Sequence, residues 1–145
     1  MASLGFDLLD RHVVDGRGDD IACTDDTGAL TFAQLLERSA ALAGGLRAIG
    51  IDAGDEVAVH VEPGNLQVQI VCACVRLGAV PGETGDVRIV EESGDVTVRW
   101  SDEQLDLALV AKAGKADPAP SLPADPSGLR ERVDEGFGAV IEELL

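Results

Sequence analysis

The sequence predicts an α/β fold, with a small, open, mainly parallel sheet flanked by helices. One observation is an amphipathic helix over residues 31–49, where apolar side chains recur at helical spacing. A second is a strand of alternating valines at residues 56–61. A third is a helix at residues 65–77 that is apolar on nearly every face, as expected of a helix buried against a sheet. This order of helix, strand and helix is typical of a parallel α/β layer.

The first elements along the chain are short. Apolar spacing predicts a helix over residues 6–14, followed by a polar loop at 15–20. Residues 21–24 are predicted to form a strand, and residues 25–28 a turn, because Asp, Thr and Gly favour turn conformations.

The helix at residues 31–49 carries start and stop signals. Thr31 followed three residues later by Gln34 predicts a capping box, in which each side chain bonds the other residue's backbone N–H. Gly50 suits the left-handed conformation that ends many helices. In the second helix we expect Asn65 to act as the cap and Gly78 to end it.

The pattern is weaker after Pro81. Residues 87–92 fit a helix or a strand, and residues 96–100 are predicted to form a strand. Ser101 with Gln104 predicts a second capping box that opens a helix reaching Gly114.

We predict three parts of the chain: an α/β domain at residues 1–114, a linker at 115–126 and an amphipathic helix at 127–145. The linker holds four of the six prolines, which favour an extended conformation. Gly136 and Gly138 each cost the last helix about 1 kcal/mol relative to Ala, so it needs a surface to pack on.

Composition limits the class of protein. The chain has 145 residues, of which 46% are hydrophobic, so one compact core is expected. No apolar run reaches the roughly 18–20 residues of a membrane span. Asp7 and Asp10 lie where a signal peptide carries bases. We therefore expect a cytoplasmic protein with no membrane partner.

The strongest compositional signal is the net charge of −16. Such a charge opposes binding to nucleic acids and to anionic bilayers. Arginine outnumbers lysine nine to two, and the core residues are mostly Ala, Val and Leu. This composition resembles proteins adapted to a cytoplasm of molar salt; an ordinary acidic protein from a GC-rich genome is the alternative.

The cysteines and histidines do not form a metal-ligand pattern. Cys23, Cys72 and Cys74 are odd in number, and the histidines are His12 and His60. Side chains two positions apart on a helix diverge, so we expect buried free thiols in a reducing compartment and no metal site.

Residues 31–35, TFAQL, match the pattern T-[YF]-x-x-L, and residues 46–58 match L-x-x-x-G-[IV]-x-x-G-D-x-V-A. Through these motifs, residues 30–81 resemble the N-terminal region of AMP-forming acyl-CoA synthetases and related adenylate-forming enzymes. A helix ending in GAVP at residues 78–81 completes the order, and the resemblance extends over about residues 5–100. It implies a fold like part of the N-terminal domain of these ligases.

The resemblance also implies which catalytic parts are absent from this sequence. Family members bind ATP with a Ser/Thr/Gly-rich loop ending in Pro-Lys-Gly, and later supply a Thr-Glu pair, a ribose-binding Asp and a mobile lysine. Residues 115–126 are proline-rich where the phosphate loop is expected. We therefore expect no catalytic residues and no cofactor. No residue of this sequence is assigned to cofactor binding.

Three groups of residues are alternative candidates for a site. Lys112 and Lys115 resemble the surroundings of the family's lysine but lack its flanking Arg and Ser, and they suit a helix end. The pairs at 19–20 and 25–26 offer carboxylates for a cation, although acidic turns are usually just solvated. His60, in a valine strand, fits a satisfied structural ring better than a catalytic base.

Four functional hypotheses follow. The first is a truncated, non-catalytic relative that serves as a binding or interaction module. The second is one subunit of a split ligase, completed by a separate chain. The third is a self-standing homodimeric module in which the last helix, rather than a ligase partner, buries the exposed apolar patch, and the fourth is a gene remnant without function. The partner is thus expected to be another protein or a second copy, and any small-molecule ligand is unknown.

Overall fold

A computed structural model describes residues 3–145. A π-helical turn at Phe6–Asp10 leads into the first helix. The helices are α1 Arg11–Val14, α2 Phe32–Ala48, α3 Asn65–Arg76, α4 Leu107–Gly114 and α5 Leu129–Leu144. The strands are β1 Ile21–Asp25, β2 Gly28–Thr31, β3 Glu56–His60, β4 Val80–Gly82, β5 Val87–Glu92, β6 Asp95–Trp100 and β7 Glu103–Asp106. Within this part of the chain, no helix has the length and apolarity needed to cross a membrane.

The strands form one five-stranded sheet and one small hairpin. The sheet has the order β4-β3-β5-β6-β7, and β1 pairs separately with β2. β3 runs parallel to both β4 and β5, whereas β6 is antiparallel to β5 and β7. The predicted α/β class is confirmed, and the sheet is mixed because two tight hairpins follow β5.

The predicted helix at residues 31–49 and its start signal are confirmed in α2. Thr31 Oγ1 accepts from the Gln34 N–H at 3.2 Å, and Gln34 Oε1 accepts from the Thr31 N–H at 3.0 Å. Gly50 follows the helix at a φ of +110°, in the region that favours glycine.

The expected cap of the next helix is wrong. Gly64 holds the cap position of α3, and Asn65 is its first residue. The Asn65 N–H donates instead to the Asp25 carboxylate at 2.8 Å, so an acid at the end of β1 stabilises this helix end.

The second capping box, at Ser101, is also wrong. Residues 103–106 pair with β6 as strand β7, and α4 begins only at Leu107. Ser101 has a φ of +49° in the two-residue turn between Trp100 and Glu103. Pairing with a neighbouring strand outweighed the local helix signal, and the ambiguous residues 87–92 are strand β5 for the same reason.

The proline-rich segment lies on the domain surface without helix or strand. The Ala119 side chain is buried, and its N–H donates to the Ala40 carbonyl at 3.0 Å. Asp125 accepts from the Leu4 N–H at 2.9 Å. These contacts tie the segment to α2 and to the residues just before the π-helical turn.

Helix α5 follows and is kinked. Phe137, between Gly136 and Gly138, leaves the helical conformation with φ −136° and ψ 37°. Its apolar side joins one of two hydrophobic clusters, together with the first helical turn, the β1–β2 hairpin and α3. The other cluster fills the space between α2, α3, α4 and the sheet.

Candidate functional site

A cleft of about 480 Å³ opens between α2, α3, α4 and the turn joining β5 to β6. We call it the α2–α4 cleft. Its volume lies in the range typical of small-molecule sites, roughly 300–1,000 Å³. The lining is mostly apolar and includes Leu42, Leu66, Val96, Leu107 and Ala111.

Polar groups border the same cleft. Arg38 and Lys115 supply positive charge, Asp95 and Asp106 supply negative charge, and Gln69 supplies an amide. A concave apolar surface with a few polar groups at its rim is the usual form of a ligand site.

A second cleft, of about 440 Å³, lies at the carboxyl ends of the parallel strands β3 and β5. Ligands of open α/β sheets often bind at this edge. The charged residues of its lining are Asp25, Glu62 and Glu91 together with Arg38, which also lines the α2–α4 cleft. Among residues 3–145, no group of three His, Cys, Asp or Glu side chains is placed to hold a metal ion.

Asp25 is occupied by its own neighbours. Its carboxylate accepts from the Thr27 hydroxyl at 2.5 Å, the Thr27 N–H at 2.8 Å and the Asn65 amide at 3.2 Å. The Thr27 hydroxyl foremost, and then the backbone N–H groups of Asn65 and Thr27, lower the pKa of Asp25 below its usual value. Asp25 is therefore a structural acceptor that joins the β1–β2 turn to α3.

The other predicted candidates lie apart. Asp19, Asp20 and Asp26 are exposed, and Asp20 forms an ion pair with Arg17 at 3.9 Å. His60 ends β3 with an exposed side chain rather than as the structural ring expected. Lys112 is exposed on α4. The structure does not bring these residues together.

His12 is the buried histidine, a position that no pattern in the sequence indicates. Its Nε2 lies 2.6 Å from the Leu144 carbonyl oxygen, and its Nδ1 lies 2.6 Å from an Arg17 guanidinium nitrogen. Because a guanidinium only donates, Nδ1 accepts and Nε2–H donates to Leu144. The ring also packs on Phe32, with centroids 4.1 Å apart. His12 therefore connects the end of α5 to α1.

Arg76 is a second buried polar side chain that no pattern in the sequence indicates. Its side chain is 3% exposed, with Nη1 2.6 Å from Asp10 and Nε donating to the Ala119 carbonyl at 3.1 Å. Three segments distant in sequence meet at this guanidinium. Only tertiary burial identifies it, since Arg76 occupies the last turn of a helix, where arginine is common.

The three cysteines are buried free thiols, as the sequence predicts. Burial raises the pKa of Cys23 to about 11 and that of Cys74 to about 12. It also raises the pKa of Cys72. The thiolate is therefore scarce at neutral pH, which opposes a nucleophilic role.

The chain is similar to proteins of one known family. The model of the AMP-binding enzyme family matches residues 10–82. The acetyl-coenzyme A synthetase of Streptomyces coelicolor is 33% identical, over 99% of this chain and 22% of that protein. Acyl-CoA synthetase short-chain family member 3, mitochondrial, of Mus musculus is 30% identical over 55% of this chain and 13% of that protein. The chain thus spans about an eighth to about a fifth of these relatives.

Solved structures agree on the fold. Apo MatB from Rhodopseudomonas palustris superposes with a TM-score of 0.50 at 27% identity, over 57% of this chain and 16% of that chain. The anthranilate CoA ligase AuaEII, in complex with anthranoyl-AMP, gives a TM-score of 0.51 at 20% identity. That match covers 55% of this chain and 15% of the ligase, and it bears on the fold alone.

Proposed function

The chain belongs to the AMP-binding enzyme family, and from this premise we propose that it is a non-catalytic binding module of that family. It is an acyl-CoA synthetase-like fragment that corresponds to an N-terminal region of its relatives. The observation that carries the proposal is the way α5 closes the core.

Helix α5 covers apolar surface that the rest of the chain leaves open. Leu129, Val133 and Leu144 are each at most 2% exposed and join the cluster that holds Leu8 and Leu9. Polar contacts also hold α5 against this cluster, since His12 donates to the Leu144 carbonyl and Arg130 forms an ion pair with Asp7. A core closed by the chain's own last helix supports a unit that folds without a companion.

The acidic surface supports a non-catalytic module, because it opposes binding of the triphosphate that adenylation requires. Forming an adenylate requires neutralising the charge that develops on a triphosphate, with backbone donors, cations and Mg²⁺ held in a fixed arrangement. This chain carries a net charge of −16 and two lysines, Lys112 and Lys115, both exposed. Its field repels a triphosphate.

The test is ATP–pyrophosphate exchange by the purified chain, with Mg²⁺ and acetate, propionate or benzoate as the acid. We expect no exchange above a protein-free blank, with a complete acetyl-coenzyme A synthetase as the positive control. Exchange that rises in proportion to chain concentration and falls in a K112Q/K115Q variant would overturn the proposal. The paired variant separates the chain's own activity from a contaminant.

A second candidate is a subunit of a split AMP-forming ligase, completed by a separate chain. The alignment to an acetyl-coenzyme A synthetase favours it, because that match runs over 99% of this chain. Tagged chain is purified under native conditions from its source cells, and bound proteins are identified by mass. A stoichiometric companion that carries a Ser/Thr/Gly-rich loop ending in Pro-Lys-Gly would support the split ligase over the module.

A further inference from the structure

We propose that a cleft at the amino ends of the parallel strands β3 and β5 binds a small alkylammonium ion, with its cationic group against the indole ring of Trp100. We call it the Trp100 cleft. Its volume of about 740 Å³ lies in the range typical of small-molecule sites. It opens at the opposite edge of the sheet from the cleft that holds Asp25, and the inference stands whether or not the chain is catalytic.

The register of the sheet brings Trp100 to this edge. Trp100 ends β6 and lies directly opposite Val87, the first residue of β5. Val87 in turn lies opposite Val57, near the start of β3. Ile49, Val87 and Trp100 are partly buried, because they pack on the cluster between the helices and the sheet, and all three also line the cleft. They form its apolar wall.

Two carboxylates reach the same cleft from segments distant in sequence. Gly85 passes so close to the start of β3 that a Cβ would overlap the Glu56 carbonyl oxygen. Asp86 directly follows Gly85. Asp55 precedes Glu56, so the close passage places both aspartates at the rim of the cleft. The Asp52 N–H donates to Asp55 Oδ2 at 2.8 Å and thereby holds the Asp55 carboxylate in place.

The charge of the lining has one sign. Among residues 3–145, the charged side chains that line the cleft are Asp55, Glu56 and Asp86, with no lysine, arginine or histidine. Arg132 pairs with Glu56 at 2.5 Å from outside the lining. Asp55 and Asp86 therefore carry the net charge that a ligand meets, and this charge repels anions and attracts cations.

Acids are common over the surface of this protein, so it is the indole that distinguishes the cleft. Trp100 is the only tryptophan. A cation binds favourably over the face of an indole, within about 6 Å of the ring centre. In residues 3–145, Arg17 lies over the Phe32 ring at 5.9 Å, whereas no arginine or lysine lies over Trp100. The indole is thus available to a cation from outside the chain.

An organic cation fits this cleft better than a metal ion does. In the part of the chain that the structure describes, no three His, Cys, Asp or Glu side chains are placed to hold a metal ion. An alkylammonium ion spreads its charge over a larger surface, and aromatic rings recognise such ions. Its alkyl groups would contact Ile49 and Val87 while its charge faces the indole and the two aspartates.

The experiment compares choline with 3,3-dimethyl-1-butanol, which has the same shape with carbon in place of the charged nitrogen. Choline chloride replaces KCl mole for mole, so that the ionic strength stays constant during the titration of the full chain. The fluorescence of Trp100 reports on this cleft alone, because the chain has no other tryptophan and no tyrosine. We expect a saturable change with choline and none with the alcohol.

Variants test the two parts of the cleft, with circular dichroism to confirm the folded state of each. D55N/D86N is expected to weaken choline binding at least about tenfold. The matched control, D15N/D19N, removes the same charge from two exposed acids outside the cleft and should change binding less than about twofold. In W100L, saturation-transfer NMR of the choline methyl protons replaces fluorescence, and binding should also fall at least about tenfold.

The inference is overturned if choline does not bind, if the alcohol binds as tightly, if both pairs of aspartate variants weaken binding equally, or if W100L binds choline unchanged. Where D55N/D86N or W100L does not fold, D86K takes its place. This variant changes one exposed side chain and must weaken choline binding at least about tenfold, because it reverses the charge beside the indole. Failure here leaves the non-catalytic module standing, whereas pyrophosphate exchange removes the module and leaves the Trp100 cleft.

Discussion

At the scale of single residues, Arg76 joins distant parts of the chain. Its buried guanidinium meets Asp10 and the Ala119 carbonyl, so the first helical turn, α3 and the proline-rich segment converge on one charge. Removing one member of a buried pair leaves the other charged and desolvated, at a cost of about 3–5 kcal/mol.

We therefore expect Arg76→Met to lower the free energy of unfolding by about 3 kcal/mol in urea titrations. Asp10→Asn should lower it less, because the Asp10 carboxylate is 21% exposed and water replaces part of the lost bond. A loss below about 1 kcal/mol for Arg76→Met would show that the guanidinium does not hold these segments together.

The buried thiols predict a dependence of stability on alkaline pH. Burial raises the pKa of Cys23 from 9.0 to about 11, so the folded state keeps its proton while the unfolded state releases it. This stabilisation is complete below pH 9 and is lost as the pH rises toward 11. The free energy of unfolding should fall by up to about 1.4 kcal/mol per pH unit for each such thiol.

The chain suits this measurement because it has no tyrosine and only two lysines to titrate in the same range. Urea unfolding is followed between pH 8 and pH 10 for the wild type and for Cys23→Ala. The variant should show a shallower decline, whatever its stability at pH 8. Equal slopes would mean that the Cys23 thiol is not shielded from water.

At the scale of secondary-structure elements, the contact between α2 and α4 depends on missing side chains. A Cβ on Gly114 would overlap the Ala41 carbonyl oxygen, and a Cβ on Gly45 would overlap the Val110 carbonyl oxygen. These are backbone atoms, which move only with their helices. The close crossing also shapes one wall of the α2–α4 cleft.

Gly114→Ala is expected to destabilise the protein by about 1–3 kcal/mol, although Ala is the better helix former. Gly136→Ala is the matched control in α5, where an added Cβ meets its first neighbours only at 3.7 Å. It should be neutral or stabilise by up to about 1 kcal/mol. The midpoints of thermal unfolding of the two variants test this difference. Equal changes in Gly114→Ala and Gly136→Ala would contradict the close crossing of α2 and α4.

Elements with local signals could be predicted from the sequence, and the others could not. The capping box at Thr31 and Gln34 needs only neighbouring residues, and α2 begins where those residues place it. The same signal failed at Ser101, because strand pairing with β6 decides the conformation there. The cap of α3 comes from Asp25, 40 residues away, which no local pattern reveals.

The same limit applies to the candidate site. Leu42 and Leu66 are recognisable as core residues, but their convergence with α4 and the β5–β6 turn depends on how the sheet is completed. Arg38 and Lys115 are separated by 77 positions, and their shared place emerges only from the helix crossing.

At the scale of the whole molecule, the acidic surface predicts a dependence of stability on salt. The net charge of −16 repels itself in dilute buffer, and 1 M salt reduces the screening length to about 3 Å. We expect the free energy of unfolding to rise between 0.1 and 3 M KCl. Sucrose is the control, because it favours compact states without screening charge. Full stability in dilute buffer with no response to KCl would remove the halophilic interpretation.

If this chain closes its own core and stands alone as a module, the isolated protein folds without a companion. The most direct measurement is sedimentation equilibrium of the purified full chain in concentrated KCl, with cooperative unfolding followed in the same buffer. We expect one species of 15.0 kDa that unfolds in a single transition. Aggregation of the isolated chain, relieved only by a stoichiometric companion, would contradict it and favour a subunit of a split ligase.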